Sequence, residues 1–281
     1  MSATLAASGR WSAPELAAIA VVGLVLALAL LGGAIAPLDP LAQDLTALNQ
    51  PPGAGHLLGT DHIGRDVLAR LAAGARLTLL TGVGGALIAF LLGAGLALVS
   101  LALGDPLRTF VYGGFDLLRA LPGILVAILL VAALSPGPGA VMLALGLTFA
   151  PTVAEVVRAA FGRESAADYV AAARVFGLSR LEVTARHILP NITGTLLTMA
   201  AIILPRCIVT ESVLSFLGLG GSPSIPSWGR MIADAAEFAE EAPHAVAVPV
   251  LALSLFTLAL SLVGGRLREL ADPLQRAGAE R

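Results

Sequence analysis

The amino-acid sequence predicts an all-α membrane protein that crosses the bilayer several times. Of its 281 residues, 57% are hydrophobic and only 13% are charged, and the mean hydropathy is +0.88. A soluble domain carries about 25% charged residues, so most of this chain must contact lipid or other apolar helices. The apolar residues also fall in long charge-poor runs, and a run of about 20 residues crosses a bilayer as a helix.

Composition also excludes several kinds of function. All 17 basic residues are arginine, which excludes a phosphate-binding GxxxxGK[ST] loop and a catalytic lysine. The single cysteine, Cys207, excludes a disulfide framework and a cysteine-based metal or redox motif. A net charge of −2 gives no reason to expect a nucleic-acid partner. If this protein uses ATP, another chain must hydrolyse it.

The first apolar run, 16–36, carries no charge and predicts a membrane span after a short N-terminal segment, 1–15. A cleaved signal peptide is the alternative, because the run ends in the small-residue sequence AIA. The length of the run, the acidic Glu15 before it and Pro37 directly after the possible cut favour an uncleaved span.

A polar stretch, 37–76, follows this span and contains the sequence HLLGTDHIGRDVLARLAAGAR. Asp61 can cap a helix that reaches about Ala73, with apolar residues on one side and charges on the other. We expect this helix to lie along the membrane, with a solvated face and Asp66 and Arg70 one turn apart. A metal site is the less favoured interpretation. Its candidate ligands are His56, Asp61, His62 and Asp66.

Five further apolar runs predict spans. They lie at about 77–104, 109–134, 140–158, 191–217 and 244–263. In the run 77–104, small residues recur at every fourth position, which lets a neighbouring helix approach closely. These residues are Gly85, Ala89, Gly93 and Ala97. In the next run, Asp116 and Arg119 are spaced to pair with each other or with a neighbouring span. The sequence SPGPG at 135–139 predicts a turn, and a short helix is expected from Trp228 to Glu241.

A polar hairpin, Ser165 to Pro190, separates the runs 140–158 and 191–217. It predicts two short helices joined at Gly177, where a left-handed residue favours glycine. Helical spacing places four residues on one face of the first helix: Tyr169, Ala172, Ala173 and Phe176. A compact polar hairpin in so apolar a chain favours a soluble protein partner.

Three local signals predict the ends of the hairpin helices. Asp168 is a candidate cap for the first helix. Ser179 and Glu182 have the spacing of a capping box at the start of the second. Pro190 is expected to end the second helix, because it lacks a backbone donor and pushes Leu189 out of helical geometry.

Two motifs carry a family resemblance. The run AAARVFG, followed after ten residues by ILP, resembles the cytoplasmic loop of ABC importer permeases, whose pattern is Glu-Ala-Ala, three residues, glycine and then Ile-Leu-Pro. Ala171 stands where that pattern has glutamate. The run GTDHIGRDVLARLAAGAR resembles the GTDxxGRDxxSRxxxGxR signature of the peptide and nickel permease subfamily, with Ala69 in place of serine. The later runs ESVLSFLGLGGSPSIPSWG and GGRLRELADPLQR are also similar, so the resemblance covers about 56–276.

The resemblance implies a type I ABC importer permease fold with six spans in the bacterial cytoplasmic membrane. A single transmembrane domain would occupy 16–281, with a core at about 77–266. The loops outside the membrane would be 37–76 and 218–243, and the loop 159–190 would couple to an ATPase. Arginines are more frequent in the loops on the hairpin side, which also predicts that the hairpin and both termini are cytoplasmic.

The resemblance further implies partners: a second homologous permease, two ATP-binding cassette ATPases, an extracytoplasmic solute-binding protein and membrane lipid. ATP and Mg²⁺ would bind the ATPases, so we expect this chain to hold no cofactor or metal and to catalyse no reaction. The residues implied for the ATPase-coupling loop are Tyr169, Ala171, Ala172, Ala173, Arg174, Phe176, Gly177, Ile188, Leu189 and Pro190. Those implied for the external signature are Gly59, Thr60, Asp61, Gly64, Arg65, Asp66, Arg70, Gly74 and Arg76.

Two charges, Arg206 and Glu211, interrupt the apolar run 191–217. A charge near the middle of a span costs about 2.5–3.5 kcal/mol on insertion scales, so each needs a partner or water. We expect Glu211 to face a wet outer vestibule. Two interpretations of Arg206 stay open: it lines a translocation cavity shared with the partner permease, or it pairs with Asp116 or Glu155.

Three functions compete on the sequence. The favoured one is the permease subunit of an importer that moves dipeptides or oligopeptides by alternating access, with nickel or another small solute as the alternative. A secondary transporter acting alone should carry ionisable residues near mid-membrane and broken helices in paired repeats, and only the neighbourhoods of Asp116 and Arg206 fit. An intramembrane hydrolase is disfavoured, because no nucleophile, base and orienting group fall together at membrane depth.

Overall fold

The computed structural model describes residues 11–221 and 225–271, which fold into α-helices joined by turns. The helices are α1 (Ala13–Ile35), α2 (Val67–Phe90), α3 (Leu96–Leu103), α4 (Asp105–Arg119), α5 (Gly123–Leu134), α6 (Pro138–Ser165), α7 (Asp168–Val175), α8 (Arg180–Val183), α9 (Leu189–Phe216), α10 (Trp228–Ala236) and α11 (Pro243–Ala271). Within the described ranges the only β-pairing is an isolated bridge between Thr60 and Asp66. The predicted all-α class is confirmed.

Two π-turns extend helices instead of ending them. Leu91–Gly95 joins α2 to α3, and Thr184–Ile188 joins α8 to α9. The second π-turn explains why the expectation for Pro190 was wrong. Pro190 lies in the first turn of α9, and the wider turn before it accommodates a ring that would otherwise clash with the preceding turn. The helix that starts in the hairpin therefore continues through the membrane to Phe216.

Five helical segments of the described chain are long and apolar enough to cross a membrane, and a bent pair makes a sixth if it counts as one span. That pair is α4 and α5, which meet at 97°. The run 109–134, predicted as one span, therefore consists of two helices and not of one continuous helix. Pro122 is the N-cap of α5, and a proline both removes a donor and disfavours helical geometry at Leu121.

The predicted turn at 135–139 is confirmed in its first half. Ser135 has a positive φ of 70° and ends α5, while Pro138 already occupies the first turn of α6. Proline suits that position because the first helical donors have no partner within the helix.

The small-residue stripe of α2 and α3 packs against α6. A Cβ atom placed at Gly85 would lie 2.6 Å from the Cβ of Leu145, and one at Gly93 would overlap the carbonyl of Ala150. Ala89, in the same stripe, is fully buried. The close approach predicted from the stripe is confirmed, and it fixes α6 and its hairpin against α2.

Helix α1 lies at the edge of the bundle and packs on α2 and α11. Ala18 and Val25 are its buried residues, and Gly32 approaches Ala72, where an added Cβ would lie 3.0 Å from the Ala72 Cβ. Leu30 and Leu31 are exposed on the outer side. In a membrane these leucines contact lipid.

The predicted interfacial helix starting at Asp61 is wrong. The helix begins at Val67, and Asp66 is its N-cap: the Asp66 carboxylate accepts a 2.7 Å hydrogen bond from the backbone N–H of Ala69. From there α2 continues directly into the apolar run, so this charged sequence forms the first turns of a span. Residues 37–66 form turns beside it, near the start of α11.

Candidate functional site

The hairpin between α6 and α9 is built on Gly177, as predicted. Gly177 has a φ of +85°. Its N–H donates to the carbonyl of Arg174 at 3.0 Å, and the N–H of Leu178 donates to the carbonyl of Ala173 at 3.2 Å. These two bonds form a Schellman motif, which satisfies the last carbonyls of α7 and turns the chain sharply towards α8.

The start of α8 also follows its local sequence. The N–H of Glu182 donates to Ser179 Oγ at 3.3 Å, and the N–H of Ser179 donates to Glu182 Oε2 at 3.0 Å, which completes the capping box. The expectation for Asp168 was wrong in detail. Ala167 is the N-cap of α7, and Asp168 is the first helical residue, where its charge favours the helix dipole without capping a donor.

Buried apolar side chains anchor the hairpin to the membrane helices. A separate core cluster joins the end of α6 to the hairpin and to the start of α9. Its buried members are Ala160, Val170, Ala173, Val183, Ile188 and Ile192. Tyr169 adds a polar tie, because its hydroxyl bonds to Glu164 and accepts a 3.2 Å hydrogen bond from Asn191 Nδ2. The bond to Glu164 raises the pKa of Tyr169 above its usual value.

The opposite face of the hairpin exposes apolar side chains, although the loop as a whole is polar. Val175 is 86% exposed and Phe176 is 83% exposed. We name this face the hairpin surface; it comprises Tyr169, Ala171, Ala172, Val175, Phe176 and Leu181. Contiguous exposed apolar side chains are typical of surfaces that contact another protein or the membrane.

The hairpin surface differs in part from the residues implied by the sequence. Ala173 and Ile188 are buried in the anchoring cluster, and Leu189 and Pro190 are exposed in α9. Val175 and Leu181 were missed. The period of α7 places Val175 three residues after Ala172, so extending the helical pattern by one step would have found it.

An open groove of about 710 Å³ lies between α5, α6, α9 and α11. Arg206 lines it and is exposed. Hydroxyl side chains supply the rest of its polar wall: Thr148, Thr210, Ser254, Thr257 and Ser261. Within the described ranges Arg206 makes no ion pair. Glu155 instead lies 3.5 Å from Arg119 and 3.6 Å from Arg158, so the structure does not show Arg206 paired with Glu155.

Glu211 does not face a vestibule, and that expectation was wrong. It is 1% exposed, and hydroxyl groups of its own helix bond to it. Ser215 Oγ donates to Glu211 Oε1 at 2.7 Å, and Ser212 Oγ lies 3.4 Å from Glu211 Oε2. Glu211 is therefore enclosed within the bundle and does not line the groove that contains Arg206.

The external signature folds into a buried ion network, which we name the external clasp: Asp61, Arg65, Arg70, Arg230 and Asp234. Arg65 Nε lies 2.7 Å from Asp61 Oδ2. Asp234 on α10 is 3.0 Å from Arg70 and 2.9 Å from Arg230. Arg70 is only 2% exposed, so the solvated face predicted for this sequence is wrong.

The predicted Asp66–Arg70 pair is also wrong. Asp66 Oδ2 instead lies 2.9 Å from His56 Nδ1. His62 stacks on Phe238 with ring centroids 4.3 Å apart. The candidate metal ligands thus have other partners, and no group of three or more metal-ligating side chains occurs in the part of the chain that the structure describes.

Glycines of the external signature explain its spacing. Gly59 and Gly64 have φ values of +76° and +77°. A Cβ at Gly64 would overlap the backbone of Asp44, and one at Gly74 would lie 3.1 Å from Trp228 Cδ1. Thr60 is fully buried, whereas Arg76 is exposed and lies outside the clasp. The signature therefore encodes a close-packed cap on α2.

A family model described as "Binding-protein-dependent transport system inner membrane component" matches residues 89–277. The chain belongs to this family. It is a non-catalytic permease subunit of an ABC importer in the bacterial inner membrane, and ATPase activity belongs to separate subunits. The Glu-Ala-Ala-like loop and the external signature therefore identified the family correctly.

Several relatives resemble this permease along most of its length. It is 43% identical over 265 residues to the dipeptide transport system permease protein DppC of Escherichia coli K12, covering 90% of this chain and 88% of the relative. It is 35% identical over 256 residues to the di/tripeptide transport system permease protein DppC of Pseudomonas aeruginosa, covering 89% and 84%. A putative peptide transport system permease protein of Brucella suis is 37% identical over 259 residues, covering 90% and 86%.

A solved structure confirms the predicted permease fold. A chain of the MetNI methionine ABC transporter, in an inward facing conformation, aligns with a TM-score of 0.61 and 18% identity. The alignment covers 72% of this permease and 96% of that chain. At this identity the likeness concerns the fold alone.

Proposed function

We propose that this permease forms one half of the translocation path of an ATP-driven importer of dipeptides or short oligopeptides. A second, homologous permease would supply the other half. The groove around Arg206 supports this role, because it is open in this subunit and a similar subunit packed over it would enclose it. The relatives named for dipeptide and di/tripeptide transport support the choice of solute.

The hairpin surface carries the proposal of ATP coupling. Val175 and Phe176 project from a loop whose other face is packed into the bundle. Movement of a protein bound to these two side chains would therefore displace α6 and α9 together. Two ATPases that bind ATP and Mg²⁺ would dock there, one on each permease, with the hairpin in the cytoplasm. Ala171 lacks the carboxylate of the usual pattern, so apolar contacts provide most of the docking.

In the groove, Arg206 would contact the carboxylate of the peptide in transit. A guanidinium binds a carboxylate in a bidentate, charge-assisted manner, and the surrounding hydroxyls can exchange hydrogen bonds with peptide groups without holding them tightly. The positive charge favours a solute with an anionic group over a bare divalent cation such as nickel. An extracytoplasmic binding protein would deliver the peptide at the end of the permease that carries the external clasp.

Reconstitution of the complete transporter tests this proposal. The chain is co-expressed with its partner permease, ATPases and binding protein, and ATP-dependent uptake of a labelled dipeptide into vesicles is measured. Arg206→Gln should leave assembly and ATPase binding unchanged and reduce uptake about tenfold or more, because a charge-assisted hydrogen bond contributes about 1.5–3 kcal/mol.

Thr193→Val is the matched control, because Thr193 lies on the same helix and its hydroxyl bonds to the carbonyl of Leu189 rather than lining the groove. It should transport at the wild-type rate. A stable and fully active Arg206→Gln transporter would remove Arg206 from the path. Uptake by the chain without ATPases would instead contradict the importer itself.

A further inference from the structure

A second polar cavity lies on the hairpin side of the permease, apart from the groove and from the hairpin surface. It encloses about 400 Å³ between the last turn of α3, the end of α6 and the two hairpin helices. Two arginines, Arg174 and Arg180, line it. Its apolar wall includes Leu101, Phe161, Val183 and Ile188. The cavity therefore combines two positive charges with apolar surface from membrane helices.

In the part of the chain that the structure describes, no carboxylate lies within ion-pair distance of Arg174 or Arg180, although Arg108 pairs with Asp105 at 2.7 Å. Arg180 lies beside Gly104, where an added Cβ would be 3.1 Å from Arg180 Nη1. Gly104 thus leaves the guanidinium uncovered on the side of the α3–α4 corner.

Arg174 does not belong to the outward face of α7. It follows buried Ala173 and lies one turn after buried Val170, whereas Val175 and Phe176 are on the outer side. With 100° between successive helical residues, Arg174 is placed on the flank next to the bundle. Its guanidinium is therefore directed to the cavity and not to the surface proposed for the ATPase.

We propose that this cavity binds the phosphate group of an anionic phospholipid from the leaflet on the hairpin side. It lies at the end of the apolar span Val67–Leu103, where Leu101 of the last turn of α3 forms part of its wall. Basic pockets between membrane helices bind anionic headgroups, and paired arginines hold a phosphate through several charge-assisted hydrogen bonds. The apolar wall then contacts the glycerol and the first acyl carbons. This inference requires the membrane location of the chain and does not depend on the transported solute.

Native mass spectrometry of the full-length chain, purified in detergent and titrated with phosphatidylglycerol, tests the site. The double variant Arg174→Gln/Arg180→Gln should bind phosphatidylglycerol about a hundredfold more weakly, since each of the two charge-assisted bonds contributes roughly a factor of ten. Arg163→Gln, an exposed arginine at the end of α6 that does not line the cavity, is the control and should bind as the wild type does.

Each further outcome decides the proposal. Equal binding by the wild type and the double variant would overturn it. If the double variant does not fold, the two single glutamine variants are compared, and wild-type affinity in both would overturn it as well. Inorganic phosphate binding as tightly as phosphatidylglycerol would assign the site to a soluble phosphate and reject the lipid. Loss of bound phosphatidylglycerol when the ATPases associate would assign the arginines to that protein contact.

Discussion

The external clasp and the hairpin are both polar regions of this permease, but their charged side chains are arranged in opposite ways. The clasp buries Arg65 and Arg70 against Asp61 and Asp234. In the hairpin, Arg174 and Arg180 make no ion pair with any residue that the structure describes, and apolar side chains such as Phe176 are exposed. The charges of the clasp are paired within the chain, whereas the hairpin exposes a surface that is typical of an interface. Polarity in the sequence therefore does not reveal whether a region serves the fold or a partner.

Desolvation explains the consequences of this difference. A buried guanidinium such as that of Arg70 loses its water and must recover the energy from carboxylates around it, so removal of one partner is strongly destabilising. An exposed side chain such as that of Val175 keeps most of its contact with solvent on folding and therefore contributes little to stability. Substitutions in the two regions should therefore separate folding from assembly.

The largest expected effect on stability is that of Asp234→Asn. Asp234 is the shared partner of Arg65, Arg70 and Arg230. The amide would leave Arg65 and Arg70 with Asp61 as their remaining carboxylate, and Arg230 with none within ion-pair distance among the described residues. We expect the free energy of unfolding to fall by about 3–5 kcal/mol. Thermal unfolding of the purified chain in detergent measures this loss.

The control is Glu240→Gln, since Glu240 is exposed on the same side of the molecule and makes no ion pair among the described residues. The thermal unfolding midpoint of this variant should equal that of the wild type. Equal midpoints for the Asp234→Asn and Glu240→Gln variants would show that the clasp is not a stabilising network.

The sequence predicted the hairpin better than the clasp because the hairpin depends on local chemistry. Gly177 and the Ser179–Glu182 box act within one helical turn, so a short window contains the whole signal. In the clasp, Arg65 and Asp234 are 169 positions apart. A helix with charges on one side looks the same whether that side meets water or another part of the chain, and only the fold distinguishes the two.

The membrane helices show the same limit. Hydropathy predicted most of the ends of α1, α6, α9 and α11 to within a few residues, because length and apolarity are sufficient to define a span. It did not predict the 97° bend between α4 and α5, although Pro122 was visible in the sequence. The groove was likewise unpredictable beyond Arg206, because its hydroxyls come from α6, α9 and α11 and no sequence pattern connects them.

Gly177→Val should have an intermediate effect on stability and a large one on coupling. A β-branched residue at a φ of +85° costs roughly 1–2 kcal/mol, and the hairpin can relieve that strain only by changing its turn. We expect a modest fall in the unfolding midpoint together with transport that is uncoupled from ATP hydrolysis. The measurements are thermal unfolding and the ratio of peptide transported to ATP hydrolysed.

Gly162→Val is the matched control for that strain. Gly162 lies inside α6, has no positive φ, and a Cβ added there meets nothing within 4 Å. Its variant should be as stable as the wild type or slightly more so. Gly177→Val with the same stability and coupling as this control would mean that the left-handed turn has no role in either.

Phe176→Glu should have the smallest effect on stability. It distinguishes most clearly between the clasp, which should affect folding, and the hairpin, which should affect assembly. Phe176 is 83% exposed, so its replacement should change the free energy of unfolding by no more than about 0.5 kcal/mol. At an interface, however, a buried aromatic side chain typically contributes about 2 kcal/mol or more, and a carboxylate in an apolar groove adds a desolvation cost. We therefore expect retention of the ATPases to fall by about 30-fold or more while the permease remains folded.

Co-purification of the ATPases with the tagged permease measures this retention. Ala166→Glu, which places the same charge on an exposed residue between α6 and α7 but off the hairpin surface, should retain the ATPases as the wild type does. If Phe176→Glu also retains them, the hairpin surface is not the docking site. If Phe176→Glu unfolds the permease, the hairpin is part of the fold in the same way as the clasp, and the contrast between the two regions disappears.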